Sequence, residues 1–170
     1  MINSATTAVL TVMDLSIEPW HAINDVVMGG LSSGAMVSSD EGLSFQGVLS
    51  LRNNGGFSSV RRPVSEDFTH SCGIRLTVKG DGRRYQLRLR QDQNFDGIAW
   101  RREFSTDGSI QVLELPYPEF EPVLRGRIIK HAGAIKPAMI RQIGFLIADK
   151  IEGGFSLSVL KMEILKTLTQ

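Results

Sequence analysis

Two short segments concentrate the side chains that can do chemistry. The first runs from Trp20 through Asn24, Asp25, Met28, Gly29 and Gly30 to Ser32; the second runs from Asn53 through Asn54, Gly55, Gly56, Phe57, Ser58 and Ser59 to Arg61. Together they offer an indole, a carboxylate, amides, hydroxyls and a guanidinium. That set can hold a ligand by stacking and hydrogen bonds. Trp20, Asn24, Asp25, Asn54 and Arg61 are the candidates. The same residue types also build structured turns, because Asn and Asp tolerate left-handed backbone and bond their own main chain. Both readings stand. Arg88 and Arg90, alternating with Leu87 and Leu89, form a second, cationic group. An anionic or polyhydroxylated partner across that face is one reading. Solvent plus an acid from a neighbouring strand, Glu103 or Glu114, is the other.

Covalent chemistry finds little support. His21, His70 and His131 are far apart, and none has a second ligand at helical or hairpin spacing, so no zinc or iron site is expected. Gly80-Asp81-Gly82 precedes an alternating, strand-like run, whereas a nucleotide fingerprint requires a helix there. Asp25, Asp81, Asp92 and Asp96 sit in loop-like stretches, and no pattern brings two of them to one cleft as glycoside hydrolysis requires. Cys72 is the single cysteine and reads as a small core residue; no internal disulfide can form. The expectation is a binding protein without catalytic residues, metal or cofactor.

The elements that must position these residues are strands. Apolar residues recur at every second position in Leu43, Phe45, Gly47, Leu49 and Leu51, and in Ile74, Leu76 and Val78. The same period holds for Tyr85, Leu87 and Leu89, for Ile143, Phe145 and Ile147, and for Phe155, Leu157 and Val159. Each run would bury one face of a strand. Trp100 and Phe104 share parity with Ile98 and point to the core, which removes the exposed aromatics that RNA recognition needs. The 17 glycines often fall between the runs. Residues near 134–141 have room for one helical turn. Many short strands with Gly-rich turns argue an all-β, antiparallel two-sheet sandwich. Asp81-Gly82 fits the centre of a type I′ turn, which would make a hairpin pairing Val78 with Tyr85, Leu76 with Leu87 and Ile74 with Leu89. In that register Arg75 lies opposite Arg88.

A chain of 170 residues, 42% hydrophobic and 22% charged, suits one domain over 1–170. A net charge of +1 gives no global attraction to nucleic acid or anionic lipid. All 19 Lys and Arg lie at or after Arg52, so the N-terminal stretch lacks the basic character of a signal or transit peptide. No apolar run reaches the ~20 residues that span a bilayer. These features point to a cytoplasmic protein with no membrane insertion.

The two polar segments also carry a resemblance. Trp20, Asn24-Asp25, Val27-Met28-Gly29-Gly30, Ser32, Phe45-x-Gly47, Asn54-Gly55-Gly56-Phe57 and Arg61 resemble the complex I intermediate-associated protein family. The likeness continues through Gly80-Asp81-Gly82-x-x-Tyr85, Phe120-x-Pro122, Arg125-Gly126, Ile143-Gly144 and Gly154-Phe155-x-Leu157, spanning roughly 18–165. It implies a galactose-binding-like jelly roll and a non-catalytic assembly factor for NADH:ubiquinone oxidoreductase, with a protein partner. It adds Arg125 to the candidates. Without a targeting extension, a bacterial single-domain relative is expected. A carbohydrate-binding module, using Trp20 with Asn24, Asp25 and Arg61, is the alternative.

Overall fold

The computed structural model describes residues 6–17, 19–40 and 42–168. Their regular elements are strands and single turns of 3-10 helix. In chain order the strands are β1 (Thr7–Val12), β2 (His21–Asn24), β3 (Ser33–Ser39), β4 (Gly42–Leu49), β5 (Ser58–Pro63), β6 (Gly73–Lys79) and β7 (Arg84–Arg90). There follow β8 (Ala99–Ser105), β9 (Ile110–Pro116), β10 (Glu121–Leu124), β11 (Arg127–Ile128), β12 (Gln142–Ile147) and β13 (Gly153–Thr167).

They form two sheets. One has the order β3-β4-β13-β6-β9, with β1 also paired to β13. The other has seven strands in the order β11-β10-β8-β7-β12-β5-β2. All these pairings are antiparallel. The fold is therefore the antiparallel two-sheet β-sandwich that the alternation implied.

Alternation decides what each strand buries. Phe45, Leu157, Val159, Ile74, Leu76 and Val78 line the inner face of the first sheet; Val60, Tyr85, Leu87, Leu89, Ile143 and Phe145 line that of the second. Phe45 meets Phe155 edge-on at 4.9 Å between ring centroids. Each such side chain contributes about 1.5–3 kcal/mol through removal from water. Trp100 and Phe104 are buried as expected, and a short turn of helix occupies Pro137–Met139. Two residues differ. Leu51 lies beyond the end of β4 and is exposed, and Cys72 is only half-buried.

The expected hairpin does not form. β6 pairs with β13 and β9, whereas β7 pairs with β12 and β8, so the two strands face each other across the core from different sheets. The apolar residues matched in the hairpin register do share an interior, but through opposed faces. Gly82 has φ of 90°, yet Asp81 is not among the residues with positive φ, so a type I′ turn is not made. Asp81 instead accepts hydrogen bonds from the Tyr85 hydroxyl at 2.9 Å and from the Ser156 amide at 2.8 Å. That ties the arch between sheets to β13. Arg75 consequently lies far from Arg88. It holds Glu114 at 2.9 Å, with Glu163 at 3.6 Å.

Candidate functional site

The two polar segments meet, and Asp25 is where they meet. Its carboxylate is 0% exposed. Oδ1 accepts the Ser32 amide at 2.8 Å; Oδ2 accepts the Ser32 hydroxyl at 2.6 Å and the Gly56 amide at 2.6 Å. The Phe57 amide approaches Oδ2 at 3.4 Å. The surrounding glycines are a steric requirement. A Cβ at Gly30 would lie 2.4 Å from Asp25 Cγ, and one at Gly55 would lie 2.5 Å from Oδ2. Burial pushes the Asp25 carboxyl up, but the bonds from Ser32, Gly56 and Phe57 outweigh it and hold the group below its ordinary value. Asn24 behaves alike: its carbonyl accepts the Ser58 hydroxyl at 2.6 Å and its amide donates to the Gly34 carbonyl at 3.3 Å. These two residues clasp the β2–β3 and β4–β5 connections together. Nothing of Asp25 is left to meet a ligand.

Trp20 is also turned to structure. Its half-buried ring packs against the core at Phe145, 6.3 Å between centroids, with the Arg62 guanidinium 5.6 Å from it. Arg62 is itself buried and paired with Glu66 at 3.0 Å. The exposed aromatic platform expected of Trp20 is therefore absent. Asn54 sits exposed in a turn with φ of 59°, next to Asn53 at 57°. Its type answers the left-handed backbone.

The cationic candidates are brought together on the outer face of the seven-stranded sheet. Register sets Arg101 of β8 beside Arg88 of β7, Arg88 beside Gly144 of β12, and Gly144 beside Arg61 of β5. Arg90 and Gln142 form the neighbouring row. The loop 91–98 folds over both rows. Arg61 donates to the Phe95 carbonyl at 2.7 Å, Arg90 to the Gly97 carbonyl at 2.7 Å, and Gln142 to the Asp92 carbonyl at 2.8 Å. The Arg61 guanidinium also lies over the Phe95 ring, 5.0 Å from its centroid. Arg125 holds Asp96 of the same loop at 2.6 Å in an exposed pair. Arg88 bonds the Gln86 side-chain carbonyl at 2.9 Å. Burial, then repulsion from Arg90, Arg101 and Arg61, lowers Arg88 to about 10. Burial and Arg90 likewise lower Arg61 to about 10, against the opposing pull of Asp92 and Asp96.

The sequence offered no sign of Phe95, Gln142 or Gly144 as members of this cluster, since their places come from long-range strand order. The sequence also spells Gly30-Leu31-Ser32-Ser33-Gly34, which fits a nucleophile elbow. Ser32 is buried, its hydroxyl is engaged with Asp25, and the segment leads into a strand. A serine nucleophile needs an exposed oxygen, and the Ser32 hydroxyl is buried. Among the described residues no group of three or more His, Cys, Asp or Glu could hold a metal ion.

The family description "Complex I intermediate-associated protein 30" matches residues 10–159. The mitochondrial protein of that name from Mus musculus is 29% identical over 108 residues, covering 59% of this chain and 32% of the relative. Its counterpart from Drosophila melanogaster is 27% identical over 121 residues, covering 66% and 40%. The chain thus spans less than half the length of these relatives. Among solved structures, the family 11 carbohydrate-binding module of a Clostridium thermocellum cellulase superposes with a TM-score of 0.65 at 17% identity, covering 96% of each chain. That likeness shows the fold. The relatives are named mitochondrial, which overturns the expectation of a cytoplasmic protein; it had leaned on the composition of the first residues, which does not report location. With the match running through both polar segments and nearly the whole sandwich, the chain belongs to the complex I intermediate-associated protein 30 family.

Proposed function

We propose that this sandwich is a non-catalytic module that binds a protein partner, an assembly intermediate of respiratory complex I. The contact surface is the outer face of the seven-stranded sheet around Arg61, Arg88, Arg90 and Arg125. The observation that carries the reading is the cationic row itself. Three guanidinium groups are packed side by side under a loop and meet only neutral acceptors. A fold gains nothing from gathering like charges, so their placement points to recognition. The relatives' name supplies the class of partner. Native affinity purification of the tagged chain tests it. A stoichiometric complex I subunit should co-purify and should be lost from an Arg61→Ala/Arg88→Ala variant that still folds. Recovery of the chain alone from cells assembling complex I would defeat the proposal.

A second reading has one observation in its favour. Phe95 is 63% exposed beside the Arg61 guanidinium, an arrangement that can stack on a sugar ring. Calorimetric titration with β-glucan oligosaccharides decides it, and absence of heat at millimolar ligand removes it.

A further inference from the structure

Arg62, Arg75, Arg83, Arg84, Arg102 and Arg125 each hold a carboxylate within 3.2 Å. Arg61, Arg88 and Arg90 hold none among the described residues. Arg61 Nη1 is buried and has no hydrogen-bond partner. Partly burying a cation without an anion in contact is costly, so the three half-buried guanidiniums form a site with no carboxylate in its first contact, although Asp92 and Asp96 act on Arg61 and Arg90 from a distance.

The same place is hollow. Gly144 stands directly between Arg88 and Arg61 in the cross-strand row, two strand spacings or about 10 Å from end to end. A Cβ there would lie 2.4 Å from the Val60 carbonyl oxygen, so the backbone itself excludes a side chain. What remains is a cavity of about 30 Å³ lined by Arg61, Arg88, Arg90, Gln142 and Gly144. At ~10–15 Å³ for one water-sized position, it accommodates two oxygen-sized atoms and no sugar ring. Asp92 and Asp96 on the covering loop lie near enough to act on Arg61 and Arg90. They would repel a polyanion such as nucleic acid or a lipid surface, whereas a single carboxylate can enter between the arginines.

We infer that Arg61, Arg88 and Arg90, around the gap left by Gly144, form a subsite for one carboxylate of an acidic peptide segment on the protein partner. The inference rests on the protein-binding reading above and names the chemistry of its contact. Arg88 supplies the central charge; Arg61 offers its unpaired nitrogen; Gln142 and the loop set the depth of entry.

Fluorescence anisotropy with a labelled peptide carrying a single glutamate among neutral residues, against its single-glutamine counterpart, tests it on the full chain. The glutamate peptide should bind at least about tenfold more tightly, the scale of one charge-assisted hydrogen bond. Arg88→Gln and Arg61→Gln should each weaken it about tenfold or more. Arg84→Gln, on the same strand but paired with Glu103 and exposed, should change it less than about twofold. Equal binding of the two peptides, no binding of the glutamate peptide, or an Arg88→Gln variant indistinguishable from wild type would each overturn the inference. Should Arg88→Gln fail to fold, the wild type alone decides. Glutarate at matched ionic strength should raise its melting temperature relative to chloride, and no rise counts against the site. The two readings also fail separately. A complex I subunit retained by Arg88→Gln sinks the subsite and spares the module, whereas peptide binding without any captured partner does the reverse.

Discussion

Replacing Asp25 by alanine removes the acceptor for three well-formed hydrogen bonds, from the Ser32 amide and hydroxyl and the Gly56 amide, at 2.6–2.8 Å. A fourth donor, the Phe57 amide at 3.4 Å, is too distant to count fully. A bond to a charged acceptor contributes about 1.5–3 kcal/mol. Three would sum to more than ~4.5 kcal/mol, but the freed donors lie in loops and regain some water, so the loss should be about 4 kcal/mol. That is a large share of the ~5–15 kcal/mol typical of a domain. For a chain of this size it lowers the melting temperature by roughly 8–16 °C. Thermal denaturation followed by circular dichroism measures it. The pH dependence follows from the same bonds. Because the folded carboxyl sits below its unfolded value, its contribution is complete above the ordinary pKa of about 4 and is lost as the pH falls through the folded value. The gap between wild type and Asp25→Ala should therefore stay constant from pH 7 down to about 5 and close below about 4. A variant melting within about 2 °C of wild type at pH 7 would refute the clasp and return Asp25 to the candidates for ligand contact.

The remaining expectations are structural. Arg83 grips Asp149 through two bonds of 2.9 and 2.7 Å, and also donates to the Gly153 and Gly154 carbonyls. Asp149→Asn leaves that largely enclosed guanidinium without its buried anion and should cost about 3 kcal/mol in chemical denaturation. Gly30→Ala sets a methyl into the Asp25 carboxylate and should cost about 1–3 kcal/mol, with little further loss when combined with Asp25→Ala. Gly144→Ala should destabilise by a similar ~1–3 kcal/mol, because the obstructing atom is a backbone carbonyl of β5.

Much of this architecture could be read from the chain. Alternation identified the buried residues of β4, β6, β7, β12 and β13 because a strand exposes its side chains with period two whatever it pairs with. For the same reason it could not say which strand lies beside which. Ile74, Leu76 and Val78 would face Tyr85, Leu87 and Leu89 equally well in a hairpin or across a sandwich, and the choice fell to the backbone at Asp81. The two polar segments stood out by composition, yet residue type could not separate a clasp from a binding rim. Trp20, Asn24 and Asp25 brace; Arg61, a few residues further along the second segment, turns outward to the other cluster. That cluster was legible only as separate arginines. Gly144 and Gln142 reach Arg88 through a strand more than fifty residues away, and the loop that covers them has no pattern of its own.

The position of β13 has a consequence for how the molecule is made. It is the last of the described strands, yet it sits in the middle of its sheet, bonded to β4, β6 and β1. Until it is synthesised, β4 and β6 have no neighbour on their facing edges, and the aromatic interior lies open on that side. Emerging chains must carry those bare edges until that strand appears, a period in which such edges invite association with other chains. Assembly of this domain thus waits until β13 has emerged. Any interruption before Gly153 should leave an aggregation-prone fragment, not a smaller version of the sandwich.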